Sequence, residues 1–278
     1  MPAFDTPAPI TATLEFEVAS IRITAGKRAE TVVEVQPQDT TRDADIQAAE
    51  QTKVGYADGR LTVKGPKKRS LFGKPGMLDV RVELPAGSKI DGVTALGNVT
   101  CAGLLGDCRL KTSLGDLHVE DAAQVRLKTS HGDIRLDRAS GDAEVSGAGR
   151  IEIGEVAGAT TVENANGDIE VGEAVGELRA KSANGRISVN VAHSGVDARS
   201  ANGAIRVHEV ASGRIALRTA VGDLEVGIPE STAAWLDAQT QFGQVRNSLG
   251  PAQGPGTSTR TVEVHARTSY GDVVIRRA

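Results

Sequence analysis

From about residue 91 onward the apolar positions fall into columns that return roughly every 18 residues around a glycine. Two and four residues after that glycine stand Leu117/Val119, Ile134/Leu136, Ile169/Val171, Ile187/Val189, Ile205/Val207 and Leu224/Val226. Five and seven residues before it stand Leu110/Cys108, Leu127/Val125, Val162/Thr160, Ala180/Leu178, Ala198/Val196 and Leu217/Ile215. Polar residues separate the members of every pair but Leu217/Ile215, which Ala216 separates, giving the period-2 alternation of a half-buried strand. Each repeat therefore predicts two short strands. The key glycines Gly115, Gly132, Gly149, Gly167, Gly185, Gly203 and Gly222 mark one turn, and the register loosens at Gly243 and Gly271. Gly141, Gly158, Gly176, Gly195 and Gly213 supply the second turn.

A short unit repeated this often predicts an all-β array rather than a closed globule. One solution is a parallel β-solenoid of about 8 to 10 coils of about 18 residues each, in which the two inward faces bury one another. The alternative is an antiparallel β-meander or sandwich, with Asn184-Gly185 and Asn202-Gly203 as hairpin turns. A meander would put all its apolar residues on one face, with no helix or second sheet left to cover them. The solenoid is the favoured reading.

Before the repeats, residues 11–90 read as a β-rich cap, and residues 1–10 as a disordered start. Alternation in Thr13–Val18, Ile21–Ile23, Thr31–Val35, Arg60–Val63 and Leu78–Leu84 predicts strands. Asp43 to Val54, rich in Ala, Gln and Glu, predicts a helix with Asp43 as its capping residue. Asp58-Gly59 predicts a turn, and Pro85-Ala86-Gly87 closes the cap. Between strands lies a basic loop carrying Lys67, Lys68, Arg69 and Lys74. Residues 91–278 form the repeat domain, interrupted at 247–260 by a Gly/Pro/Ser/Thr stretch expected to be mobile. The last repeat ends in Arg276-Arg277, charges that would discourage end-to-end strand pairing.

Composition narrows this further. Of the 278 residues, 39% are hydrophobic but only 3% aromatic, and 32 are glycine, so the core must be thin and aliphatic. The net charge of -4 gives no overall pull toward nucleic acid or an anionic membrane. Neither a basic-then-apolar leader nor an apolar run long enough to span a bilayer occurs, so a cytoplasmic location is expected. The two cysteines, Cys101 and Cys108, read as small core residues.

Candidate chemistry sits in the polar columns. Asp107, Asp116, Asp133, Asp142, Asp168, Asp223 and Asp272 follow glycines, which suggests either turns stabilised by local N–H bonds or calcium. The column breaks at Arg186 and Ala204, and no Gly-Gly-x-Gly-x-Asp nonapeptide occurs, so turns are preferred. Thr112, Thr129, Ser182, Ser200, Thr219 and Thr268 form a hydroxyl ladder, and Asn166, Asn184 and Asn202 an amide ladder, each expected to satisfy its own members. Four and six residues before the key glycine, a basic stripe runs through Arg109, Lys111, Arg126, Lys128, Arg179, Lys181, Arg199 and Arg218, with Arg267 and His265 in the last repeat. Such a stripe is either a solvated face, partly neutralised by Glu163, Asp197 and Asp237, or a surface for a protein or polyanion. His118, His131, His193, His208 and His265 are scattered, no nucleophile, zinc or phosphate-loop motif occurs, and no enzyme activity, metal or cofactor is expected.

The recurring Ser/Thr-x-x-Gly-Asp-Ile/Leu-x-Val units, preceded by a strand ending in Val80-Arg81-Val82-Glu83-Leu84-Pro85-Ala86-Gly87, resemble a bacterial domain-of-unknown-function family labelled "putative adhesin" over about residues 14 to 275. The resemblance implies a repeat β fold and brings no catalytic or ligand residues. The expected role is a non-enzymatic scaffold or binding protein presenting its repeat faces to an unidentified protein or polyanion. Two alternatives remain open. One is a self-assembling scaffold resembling the bacterial cytoskeletal proteins called bactofilins, and the other is a polysaccharide-binding solenoid, for which Trp235 and two tyrosines offer few sugar-stacking platforms.

Overall fold

The computed structural model describes residues 2–66, 75–250 and 260–278, so the basic-loop residues Lys67, Lys68, Arg69 and Lys74, and most of the 247–260 stretch, lie outside the described residues. Two compact units, Met1–Ser140 and Gly141–Ala278, make up the chain. Each is a parallel β-solenoid.

In the N-terminal unit the elements are β1 (Ala3–Asp5), β2 (Thr11–Gly26), β3 (Glu30–Pro37), α1 (Asp43–Gln51), β4 (Lys53–Ala57), β5 (Arg60–Lys64), β6 (Leu78–Pro85), β7 (Lys89–Leu96), β8 (Val99–Leu114), β9 (Leu117–His131) and β10 (Ile134–Ala139). The division expected near residue 90 does not separate two ladders. β2 pairs in parallel with β7 and β8 on one side, as in Leu14↔Gly92 and Ile23↔Cys101, and with β5 and β6 on the other, as in Leu14↔Val63 and Ile23↔Val82. It is a coil without a glycine corner. Its buried positions shift phase between Phe16 and Ala19, which lets one unbroken strand serve both faces.

Antiparallel pairing closes the outer edges of this unit. β4 pairs with β5, β3 with β6, and β1 with β3. Residues 1–10, expected to be disordered, thus contain a strand, because the outer edge of β3 offers unpaired backbone groups that Ala3–Asp5 can satisfy. A buried bond between the Thr6 and Thr31 hydroxyls, 2.8 Å, fixes the segment further. The helix starts with Arg42 at the N-cap and no capping side-chain bond, so Asp43 is not the cap. Asp45 is instead fully buried and accepts the N–H groups of Asp39 and Met77 at 3.2 and 3.0 Å. The Asp58-Gly59 turn has positive φ at both residues, as a tight β4–β5 hairpin requires.

In the C-terminal unit the strands are β11 (Ala143–Gly147), β12 (Ile151–Val156), β13 (Thr160–Asn166), β14 (Ile169–Ala174), β15 (Leu178–Asn184), β16 (Ile187–Ala192), β17 (Val196–Asn202), β18 (Ile205–Val210), β19 (Gly213–Val221), β20 (Leu224–Ile228), β21 (Thr232–Phe242), β22 (Val245–Asn247), β23 (Arg260–Tyr270) and β24 (Val273–Arg277). β15 pairs in parallel with β13 and β17, and β16 in parallel with β14 and β18. The meander would require β15 to pair with β16 in antiparallel; the structure rules it out. Successive strands lie on opposite faces, and the inward columns meet in a dry aliphatic core in which Val162, Ala180, Ala198, Leu217, Ile187, Val189, Ile205 and Val207 are all 0% exposed.

Chain order and spatial order part at the end. β19 pairs with β23, and β23 in turn with β21, while β20 pairs with β24 and β24 with β22. The final repeat is therefore inserted between two earlier coils. Arg276 and Arg277 do not guard the end of the stack, as their sequence position suggested; Arg276 binds Glu225 at 2.7 Å, and Arg277 donates to the Pro229 carbonyl at 2.9 Å.

Candidate functional site

Three polar columns hold the coils together. Six of the seven key glycines, all but Gly149, have positive φ, +131° at Gly185 and +151° at Gly203. Each also approaches its neighbour closely: a Cβ on Gly185 would lie 2.1 Å from the Gly167 carbonyl oxygen. The hydroxyl column serves these carbonyls. Thr129, Thr219 and Thr268 donate to the carbonyls of Gly115, Gly203 and Gly222 at 3.1, 2.9 and 3.0 Å, and Asn164 replaces the hydroxyl by donating to Gly149 at 2.8 Å. Apart from Ser182, whose buried hydroxyl finds no partner among the described residues, the hydroxyls thus bond to glycine backbone and not to one another, because they are buried at the corner where those carbonyls converge. The amides do form a ladder, Asn202 donating to Asn184 at 3.0 Å and Asn184 to Asn166 at 3.1 Å.

The aspartates after glycine also bridge coils. Asp116 accepts the N–H of Asp133, Asp168 that of Arg186, and Asp223 that of Asp272, at 2.8, 2.8 and 2.9 Å. These bonds span 17 to 49 residues and are not the local turn bonds anticipated, since the parallel stack brings the next coil's N–H closer than the aspartate's own. The Arg186 backbone N–H, with its guanidinium, holds the Asp168 carboxyl below the usual carboxylate range. With an acceptor role in the backbone, the column is committed to structure. Among the described residues no group of three or more His, Cys, Asp or Glu side chains could hold a metal ion.

The outward basic column is left. In the N-terminal unit, Arg109 faces Arg126 and Lys111 faces Lys128 on adjacent strands, all exposed. In the C-terminal unit, Lys181, Arg199, Arg218 and Arg267 are directly opposed in sequence across β15, β17, β19 and β23. Like charges so placed repel. Arg199 is bidentate to Asp197 at 2.9 and 2.8 Å, which favours its charged form, Lys181 meets Glu163 at 3.3 Å, and Arg267 meets Asp237 at 3.1 Å. Arg218 has no ion pair among the described residues.

Around Arg218 the surface is concave. A groove of about 770 Å³ is lined by Arg179, Lys181, Arg199, Arg214 and Arg218 over a floor that includes Gly195, Gly213 and Ala216. Five cations face two carboxylates, Glu177 and Asp197. The depression exists because Gly195 and Ala216 stand where neighbouring coils carry longer side chains, leaving room between the arginine stems. The structure thus brings together four predicted stripe residues of this unit and adds Arg214, which the column count missed. Arg214 sits eight residues before Gly222, one step beyond the positions counted, and like Arg218 it has no ion pair among the described residues. Continuing the alternation by one step would have found it.

The sequence profile of the Toastrack DUF4097 family matches residues 12–277, nearly the whole repeat architecture. The chain belongs to the Toastrack DUF4097 family. Solved structures similar to this Toastrack chain include a "putative adhesin" from Bacteroides fragilis, 14% identical, with a TM-score of 0.42 and covering 100% of this chain and 95% of that one. A "putative cell adhesion protein" from Clostridium sporogenes is 11% identical, with a TM-score of 0.21 and coverage of 100% and 98%. A "putative lipid binding protein" from Parabacteroides distasonis is 10% identical, with a TM-score of 0.31 and coverage of 100% and 95%. No protein of curated function matches this Toastrack chain significantly. Among its described residues no helix is long and apolar enough to cross a membrane.

Proposed function

We propose that the protein is a non-enzymatic binding solenoid whose C-terminal unit holds an extended anionic partner in the groove of Arg179, Lys181, Arg199, Arg214 and Arg218. The observation that carries this reading is the pair Arg214 and Arg218, two guanidiniums with no ion pair among the described residues, on a concave floor already rich in cations. Parallel strands set the cations of one column about 4.8 Å apart, so a flexible polyanion can satisfy several rungs at once. Among the described residues no aromatic side chain lines the groove, which disfavours base stacking and leaves charge as the recognition element. The opposed cations also repel one another in the free protein, and a bound anion would relieve that repulsion.

The test is calorimetric titration with a defined polyanion, such as poly-glutamate or polyphosphate, at low and high salt. Binding should weaken steeply as salt rises, because exposed charges are screened within about 8 Å at physiological ionic strength. Arg214→Glu with Arg218→Glu should reduce affinity by at least about tenfold, roughly the effect of losing two charge-assisted contacts. Unchanged affinity in the double variant would overturn the assignment of the groove.

A further inference from the structure

The spatial end of the C-terminal unit is the coil β21–β22, and it is finished unlike any other. β21 runs eleven residues and bonds to β23 along one edge; its other edge has no strand partner among the described residues. The inward columns are uncovered there. Val245 is 46% exposed although its column neighbours Val273 and Leu224 are 0% exposed, and Leu236 is only half-buried where Val264 and Ile215 are 0% exposed. Around this opening lie aromatic side chains that are scarce elsewhere in the chain. Trp235 is 58% and Phe242 62% exposed, and Phe242 stacks on Tyr270 at 4.8 Å with an interplanar angle of 8°.

Edges of this length are ordinarily blunted by lysine, proline or brevity. The outer strands of the N-terminal unit follow that rule, β1 being three residues long and β4 five residues with Lys53 at its start. β21 has none of these devices. Its sequence TAAWLDAQTQF holds one charge, Asp237, which pairs with Arg267 at 3.1 Å and lies 3.3 Å from the His265 ring.

We infer that β21 and β22 form a self-association surface, on which a second copy of this chain docks through the same edge to give a closed two-fold dimer. A two-fold axis near Ala238 sets β21 against its mate in antiparallel. Trp235 then lies opposite Gln241 and Asp237 opposite Gln239, with no like charges facing, and the inward columns of the two copies form one core. An eleven-residue strand is about 36 Å long and the two faces lie about 10 Å apart, so the open end amounts to roughly 350 Å². With the exposed parts of Trp235 and Phe242 this comes to roughly 600 Å² per partner, at the lower bound for a specific stable interface. The patch is self-complementary, which closes the assembly at two copies. This inference is independent of the basic groove.

The experiment is sedimentation velocity on the full chain over a roughly hundredfold dilution series, with hydrogen exchange on the β21 amides at both extremes. The expected result is a reversible monomer–dimer equilibrium with β21 protected only when concentrated. Phe242→Lys with Val245→Lys, both at exposed positions, should weaken dimerisation by at least about 100-fold while the far-ultraviolet spectrum stays unchanged. A chain that is monomeric at every concentration would overturn the inference. So would a dimer that the double variant leaves intact, growth beyond two copies, or β21 protection independent of concentration, which would mean that the chain covers its own edge.

Discussion

At the scale of single residues, the repeat is held by small groups whose roles depend on the neighbouring coil. Gly185 combines a φ of +131° with a carbonyl 2.1 Å from where a Cβ would stand, so both the backbone and the contact exclude a side chain. Gly185→Ala is expected to destabilise the C-terminal unit by about 1–3 kcal/mol or more, read as a lower denaturant midpoint. Asp168→Ala should cost about 1 kcal/mol at neutral pH, toward the low end for a charged acceptor because the carboxylate is partly exposed. Because the Asp168 pKa is depressed on folding, its contribution is fully present above the ordinary carboxylate value of about 3.9 and is lost as pH falls through the lowered folded value. The stability difference between wild type and Asp168→Ala should therefore be constant from mild acid to neutrality and shrink only in strong acid, as urea unfolding at several pH values would show. The glycine and aspartate positions were legible in the sequence. Their bonding partners were not, since a column in the sequence does not say whether a side chain serves its own turn or the next coil.

At the scale of the element, each strand works as a rung whose inward pair is fixed by alternation. Ile205 is 0% exposed between Ile187 and Leu224, so Ile205→Ala should cost about 2–5 kcal/mol, measurable by chemical denaturation, and more than a comparable change in the half-buried Leu236. Coil length can vary without disturbing the rungs. The register offset is 18 residues from Val189 to Val207 and 19 from Val207 to Val226, and the extra residue is taken up in the turn near Ala211 and Ser212. There the Ser212 hydroxyl donates to the His193 carbonyl at 2.7 Å, so the longer turn still stacks on its neighbour. Strand positions were legible because periodicity reports which face a residue occupies. β2 escaped the repeat count because it turns its corner without glycine, by a phase shift that resembles an ordinary break in alternation.

At the scale of the whole molecule, function depends on which coils are neighbours. Replacing Arg214 and Arg218 with glutamate should weaken salt-dependent polyanion binding by at least about tenfold while leaving self-association through β21 intact, and Phe242→Lys with Val245→Lys should weaken self-association while leaving polyanion binding intact; calorimetry and sedimentation on both double variants would separate the two surfaces. Much of this molecule was determined by sequence alone: an all-β array of two-strand coils, an aliphatic core, and an outward stripe of Lys and Arg. Alternating side chains and glycine turns settle those features locally, through sterics and the removal of apolar surface from water. Tertiary structure decided the order of the coils, with the final repeat inserted inside the stack and β21 left at its end, and so decided which cations line the groove and which strand lacks a second partner among the described residues. Neighbouring strands recognise one another through backbone hydrogen bonds that are the same in every coil, so side-chain patterns specify the face of each residue but not the coil beside it.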